Sequence, residues 1–471
     1  MTYLKQRIRD PLHDIVSFED NEFENVLWDI INTRPFQRLR RIKQLGFSSM
    51  VYPGATHSRF AHSIGVFHTA RMLMKIVEAD LREKKDWSDA RAQQALAAAL
   101  VHDIGHGPFS HAFEEVGKRL NIKMAKHEHV SELLIKDSEI TEHLKRMGSG
   151  FHNDVADVID DKVDATIYSA VVSSQFDADR LDYMRRDRLM CGTGHGAIDF
   201  NWLMDNIEIG DLASGVDGEQ VSSTRTFVLG SKALFAAEAY VLGLFQLYPT
   251  VYFHKTTRGA EKLFTELLCK VVELSISGDF RDAGLNANHP IVKFARNTDS
   301  IESVLSLDDE VLWGSLERMV TARNPIVSQF SKRLRDRNLF KAIDVRQEVL
   351  RLKPKGALDR GEVSLEIDAI CEILSDKIKG WISQNPSDAP RVLVDKGERS
   401  PYKEYDESKG PLNQINIRTS NDELDDLKNQ SQVVSAIEPF KMYRVYIANE
   451  DDEAKKFIRK IIKTTVDKGK S

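Results

Sequence analysis

The chain has 471 residues, 41% hydrophobic and 29% charged, with a net charge of −6: a globular composition with room for two or three domains and no global field for nucleic acid. No uninterrupted apolar run approaches the about 18 residues of a membrane span, and none follows Met1-Thr2-Tyr3-Leu4-Lys5-Gln6-Arg7, so neither a membrane partner nor a secretory leader is expected. Three widely spaced cysteines, Cys191, Cys269 and Cys371, point to a reducing cytoplasmic setting and away from a thiolate zinc site. Along the chain, apolar residues recur at three-to-four spacing over 28–44, 62–83, 90–103, 127–146 and 175–190, which predicts helices. Val216-Asp217-Gly218-Glu219-Gln220-Val221, followed by Thr224-Arg225-Thr226-Phe227-Val228, reads as a hairpin near 216–229. One long or broken helical stretch covers 232–277, and further helices fit 328–353 and 361–382. From 383 to 432 the chain turns polar and carries Pro386, Pro390, Pro401 and Pro411, so it reads as a connector with short strands. Ile415-Asn416-Ile417 and Met442 to Ile447 alternate like strands, and Glu453 to Lys463 closes as a helix. The expected class is mainly α: a helical domain over 1–382 and a small α+β region over 383–471.

The chemistry starts at His102-Asp103, directly after Ala95-Leu96-Ala97-Ala98-Ala99-Leu100-Val101 and just before Gly105, Gly107 and Pro108. Glycine and proline end a helix there, so the pair opens into a loop. Neighbouring residues on a helix diverge by about 100°, and both can grip one ion only where they lean into a shared cleft. A bland reading is a capped helix end, with the imidazole favoured by the C-terminal dipole. The spacing of His102 and His106 matches a zinc-protease helix, but Asp103 stands where that site needs a glutamate. Nine of the 14 histidines precede residue 130, where even scatter would place about four, and such clusters mark metal or catalytic sites. His129 reads as an exposed helix-start residue.

Three motifs then resemble the HD-superfamily deoxynucleoside-triphosphate triphosphohydrolases: Arg59-Phe60-Ala61-His62-Ser63, His102-Asp103-Ile104-Gly105-His106-Gly107-Pro108-Phe109-Ser110-His111, and Asp179-Arg180-Leu181-Asp182-Tyr183. The likeness extends through Arg9-Asp10-Pro11-Leu12-His13, Phe36 to Arg40, Val51 to His57, Val251 to Lys255 and Leu334 to Lys341. It implies an HD-domain helical bundle in which His62, His102, Asp103 and Asp179 hold a divalent metal ion (Fe, Zn, Mn, Ni or Mg). Two imidazoles and two carboxylates suit such an ion chemically. The resemblance gives His111 the role of general acid, oriented by Glu114 and His127. It gives Arg59 and Arg180 to phosphate, Gln44, Leu45, Tyr183 and Asp187 to the sugar, and Tyr252 to the base. It also implies nucleotide sites at subunit contacts from Gln37, Arg40, Val51, Tyr52, His254 and Lys255, within a homo-oligomer, a dimer or tetramer.

Two positions depart from the family pattern. Leu244 stands where an arginine often grips the distal phosphate, and Asn32 replaces an aspartate that reads guanine. The expected activity is metal-dependent hydrolysis of dNTPs to deoxynucleoside and tripolyphosphate, with an activating nucleotide but no strict dependence on GTP. Two alternatives stay open: an HD phosphohydrolase acting on another nucleotide phosphate ester or on single-stranded nucleic-acid ends, and a nucleotide-sensing scaffold.

Overall fold

The computed structural model describes residues 5–160, 166–216, 219–353, 360–402 and 414–468. Helix accounts for 62% of the chain and strand for 12%, so the mainly α class holds. Two compact units emerge, each assembled from separated stretches: Met1–Tyr252 with Thr298–Glu310 and Ser400–Pro439, and Phe253–Asn297 with Val311–Arg399 and Phe440–Ser471.

In the first unit, helix Arg59–Glu83 packs on both Asp89–Val101 and Ala178–Cys191. The side chain of Ser58 caps the first of these by accepting from Ala61, and Asp177 caps Ala178–Cys191 by accepting from Arg180. Their shared core holds Leu73, Val77, Ala95, Ala99, Leu181 and Met184. A four-stranded sheet runs in the order Ile207–Val216, Glu219–Leu229, Asn416–Arg418, Leu424–Asp426. The hairpin is thus present, longer than expected, while its tip at 217–218 lies outside the described residues. The second unit holds a three-stranded antiparallel sheet with Phe440–Ile447 between Lys341–Asp344 and Val392–Arg399. Helices Val345–Leu352, Arg360–Gln384 and Asp452–Lys468 build its core around Val349, Leu374, Val445 and Ile458. The two strands expected near the end of the chain therefore belong to different units.

Several expected helices are interrupted. The stretch 28–44 is a helix Glu22–Ile31, then Arg34–Arg38 restarting with Pro35 in its first turn, where a missing amide is tolerated. The stretch 328–353 is broken by strand Lys341–Asp344, whose partner lies about a hundred residues away and is invisible to local periodicity. An N-terminal hairpin, Gln6–Asp10 with Asp14–Phe18, was not expected. The segment Ser231–Tyr252 reaches membrane-span length and mean hydropathy, 22 residues at 1.2, although no uninterrupted run does. Its helix Leu234–Leu247 buries Ala237, Tyr240, Val241 and Leu247 in the first unit's core, as a core helix does. Leu244 is among them, 3% exposed, so its apolar character follows from packing.

Asp309 ties three distant segments of the first unit. One carboxylate oxygen accepts from the Lys43 amide at 2.9 Å and the other from the Phe109 amide at 2.7 Å. Burial pushes its carboxyl from the ordinary 3.8 up to about 6, despite these amides and the Lys43 ammonium. The folded state then holds the proton more tightly than the unfolded chain, so stability falls as pH rises from about 4 to about 6 and is level above that. Relative to Asp309→Asn, wild type should lose about 3 kcal/mol across this window, a two-unit shift at about 1.4 kcal/mol each. Urea unfolding of both proteins at a series of pH values checks it; a pH-independent difference would refute the assignment.

Candidate active site

Helix Arg59–Glu83 carries Arg59 and His62 in its first turn. His102 is the C-cap of Asp89–Val101, and its Nδ1–H donates to the Ala99 carbonyl at 2.9 Å, which leaves the Nε2 lone pair outward. Asp179 lies in the first turn of Ala178–Cys191. The ligand atoms of His62, His102 and Asp103 all lie within 4.8 Å of one another. Asp179 joins them: its Oδ1 is 2.9 Å from His62 Nε2 and 3.7 Å from His102 Nε2. Both Nε2 atoms are buried without a hydrogen-bond partner, so even the 2.9 Å contact lacks donor–acceptor alignment. Two orphaned imidazole nitrogens facing two carboxylates fit a divalent cation.

The charges agree. Burial drags the His62 imidazole down, but Asp179 and Asp182 outweigh it and hold it at about 10. His102 is likewise raised by Asp103 and Asp179 against its burial. Burial opposes ionisation of Asp103 and Asp179, yet the neighbouring imidazoles, with Arg59 beside Asp103, hold both carboxyls below the usual range. The carboxylates are therefore ionised and ready for a cation, which would displace protons from the imidazoles on binding.

The loop after Asp103 leads to a second cluster. Gly105 is required by close approach: a Cβ there would lie 2.2 Å from the His127 carbonyl oxygen and 2.4 Å from the Ser131 amide. That contact seats helix His127–Lys136 against the loop. Phe109 and Ser110 then take positive φ values of 54° and 52°, costly for non-glycine residues. Asp309 holds the Phe109 amide, Phe47 stacks on its ring at 4.2 Å, and Arg59 Nε donates to Ser110 Oγ at 3.0 Å. The strained turn delivers His111 and Glu114 on helix His111–Leu120. Glu114 accepts from His111 Nδ1 at 3.1 Å through one oxygen and from His127 Nδ1 through the other. These two contacts hold its carboxyl well below the usual range despite burial. His106 stacks on His127 with centroids 3.9 Å apart and planes 11° apart, and its Nε2 lies 3.2 Å from Asp103 Oδ1. His106, Glu114 and His127 also place ligand atoms within 4.8 Å. Stacked rings, however, send their in-plane lone pairs along parallel planes rather than to one point, so this cluster suits proton handling better than an ion.

Each residue expected at the substrate already has surroundings of its own. Arg59 is 4% exposed and already paired with Asp103. Arg180 Nη1 donates to Gln175 Oε1 at 2.6 Å. Gln44 has a buried Oε1 without a partner, and Leu45 packs at the edge of the core. Asp187 is 1% exposed, its oxygens taken by His57 Nε2 at 2.8 Å and the Tyr252 hydroxyl at 2.9 Å. The Tyr183 and Tyr252 rings meet edge-on at 6.1 Å. In the same unit, Gln37 Oε1 accepts from Arg40, whose guanidinium lies 3.6 Å over the Phe60 ring, and the Tyr52 hydroxyl donates to the Thr250 carbonyl beside half-buried Val51. Asn32 is an exposed helix cap bonded to the Trp28 carbonyl. His254 and exposed Lys255 begin helix Lys255–Ser277 in the second unit. The sequence gives no site role to His106, rejected as a zinc-protease partner of His102, or to Asp182 and Asp309. The first two sit inside the quoted motifs, whereas nothing local to Asp309 announced it.

Residues 59–184 match the HD domain family model. The chain is 30% identical to the uncharacterized protein YwfO of Bacillus subtilis, over 91% of this chain and 88% of that protein. It is 28% identical to the deoxynucleoside triphosphate triphosphohydrolase SAMHD1 homolog of Dictyostelium discoideum, over 69% of this chain and 58% of that one. The crystal structure of a phosphohydrolase from Bacteroides thetaiotaomicron superposes with a TM-score of 0.68 at 25% identity, covering 94% of this chain and all of that one. The HD domain and these relatives mark a metal-dependent phosphohydrolase, and the chain belongs to the HD-domain family, with a dNTP triphosphohydrolase homolog among the proteins it resembles.

Proposed function

We propose that the protein hydrolyses dNTPs to deoxynucleoside and tripolyphosphate at the centre formed by His62, His102, Asp103 and Asp179. One observation carries this reading: Asp103 Oδ1 lies 3.5 Å from His102 Nε2 and 3.2 Å from His106 Nε2, so it joins the orphaned donor set to the His111–Glu114–His127 cluster. His62, His102, Asp103 and Asp179 would hold a divalent ion, which would supply Lewis acidity and charge neutralisation at the phosphate. His111 stands at the exposed edge, its side chain 72% exposed. Because Glu114 accepts from Nδ1, the His111 Nε2 faces outward to protonate a departing 5′-oxygen. His127 shares the same carboxylate and neutralises it as that proton leaves. Arg59, beside Asp103 and Ser110, is placed to turn toward phosphate oxygens. A shorter phosphate ester is the second reading, favoured by Leu244, whose buried side chain offers nothing to a distal phosphate.

Elemental analysis should find one divalent transition metal per wild-type subunit and much less in His102→Ala; near-equal contents would remove the assignment. His111→Ala should keep the metal but lose at least ~10²-fold in turnover, the usual scale of a lost general acid. Pyrophosphate with a nucleoside monophosphate as the only products would contradict attack at the α-phosphorus.

Nucleotide-linked assembly into a dimer of dimers is part of the same proposal. Gln37, Arg40, Val51, Tyr52, His254 and Lys255 would line the nucleotide sites, because cations gathered from several chains are neutralised by phosphates. Light scattering with and without a dNTP mixture should show growth of the oligomer alongside activity. A fully active monomer under both conditions would end this part.

A further inference from the structure

Behind His62 lies a buried polar network that no step above uses. Asp182 is wholly buried. Its Oδ2 accepts from His62 Nδ1 at 2.9 Å and from Arg186 Nε at 2.8 Å. Its Oδ1 accepts from His13 Nε2 at 2.7 Å and from Arg186 Nη2 at 3.0 Å. Arg186, also wholly buried, continues to Asp10 through Nη1 at 2.8 Å. Asp10 in turn caps its own turn by accepting from the Leu12 and His13 amides at 2.9 and 3.0 Å. Asp10 and His13 form the tip of the N-terminal hairpin, which closes through Asp14 at a φ of 59°. The room for this network is built in: a Cβ on Gly65 would stand 2.0 Å from Asp182 Oδ1 and 2.3 Å from Arg186 Nη2.

A carboxylate can only accept, so Asp182 obliges His62 to carry its proton on Nδ1 and to present the Nε2 lone pair to the orphaned side. Asp182 cannot turn away, because Arg186 grips both of its oxygens and His13 one. We propose that Asp182 is the positioning residue for His62, and that the N-terminal hairpin tip, through His13 and the Asp10–Arg186 pair, belongs to the metal-holding apparatus. Hairpin docking and metal occupancy are then thermodynamically linked, each favouring the other. The inference rests on the reading that His62 holds the metal, and it assigns no ligand.

The test uses the full chain with Mn²⁺ as probe and a competing chelator to read affinity. Asp182→Asn should raise the Mn²⁺ dissociation constant roughly 10- to 100-fold, the usual cost of losing such an outer partner. Nitrogen NMR of the Zn²⁺-loaded protein should show His62 with its proton on Nδ1 and Nε2 on the metal in wild type, and a mixture of the two attachments in the variant, a shift that loss of packing alone would not produce. His13→Ala, which removes the hairpin's own bond to Asp182 and leaves the Arg186 grip in place, should weaken Mn²⁺ binding severalfold. Mn²⁺ should also slow hydrogen exchange at the Leu12 and His13 amides of wild type. Should Asp182→Asn fail to fold, His13→Ala and the exchange measurement decide: unchanged affinity with metal-indifferent exchange overturns the proposal, and a change in both supports it. Wild type that binds no Mn²⁺ would overturn the functional reading and this inference together. Wild-type binding matched by both variants would overturn the inference alone.

Discussion

Everything in this site depends on burying charge without leaving it uncompensated. Asp103 and Asp182 are carboxylates sunk among helices and Asp179 is a partly exposed one beside them, and imidazole or guanidinium groups stand against each and favour its ionised form. Arg186 between Asp182 and Asp10 settles the inner half of this arrangement with a fully paired guanidinium. The outer half is left incomplete. His62 and His102 direct partnerless nitrogens at Asp103 and Asp179, a deficit that a divalent cation would remove.

The same logic explains why the loop from Asp103 to His111 tolerates strain. Two non-glycine residues at positive φ cost of order 1–3 kcal/mol each. Arg38 answers by donating to the carbonyls of His106 and Leu307, Asp309 by taking the Phe109 amide, and Arg59 by holding Ser110. These partners come from three distant parts of the chain. The loop is thus over-determined by its surroundings, and what it gains is a His111 whose orientation is set by Glu114 before any substrate arrives.

How much of this could be read from residues alone follows from the range of the interactions. Helix Asp89–Val101 and its His102-Asp103 exit were legible because alanine-rich periodicity and the glycines beyond it are local signals. The convergence of His62 and Asp179 on that pair came from motif resemblance, since no spacing rule links residues 62, 102 and 179. The N-terminal hairpin escaped notice because its five-residue strands alternate weakly and carry Arg7 and Arg9. Asp309 escaped because its partners are the amides of Lys43 and Phe109, and a backbone amide leaves no mark in a sequence. Asp182 stands in the Asp179-Arg180-Leu181-Asp182-Tyr183 motif without a role of its own. Only the fold shows that it faces His62, while Asp179 faces the ion site.

Where a cation settles distinguishes an ion site from a proton-handling cluster. Anomalous scattering from crystals equilibrated with Mn²⁺ separates the two histidine clusters, which Asp103 and His106 hold side by side. One peak enclosed by His62, His102, Asp103 and Asp179 is the predicted result. A peak among His106, Glu114 and His127 instead, or none at either cluster, would contradict it.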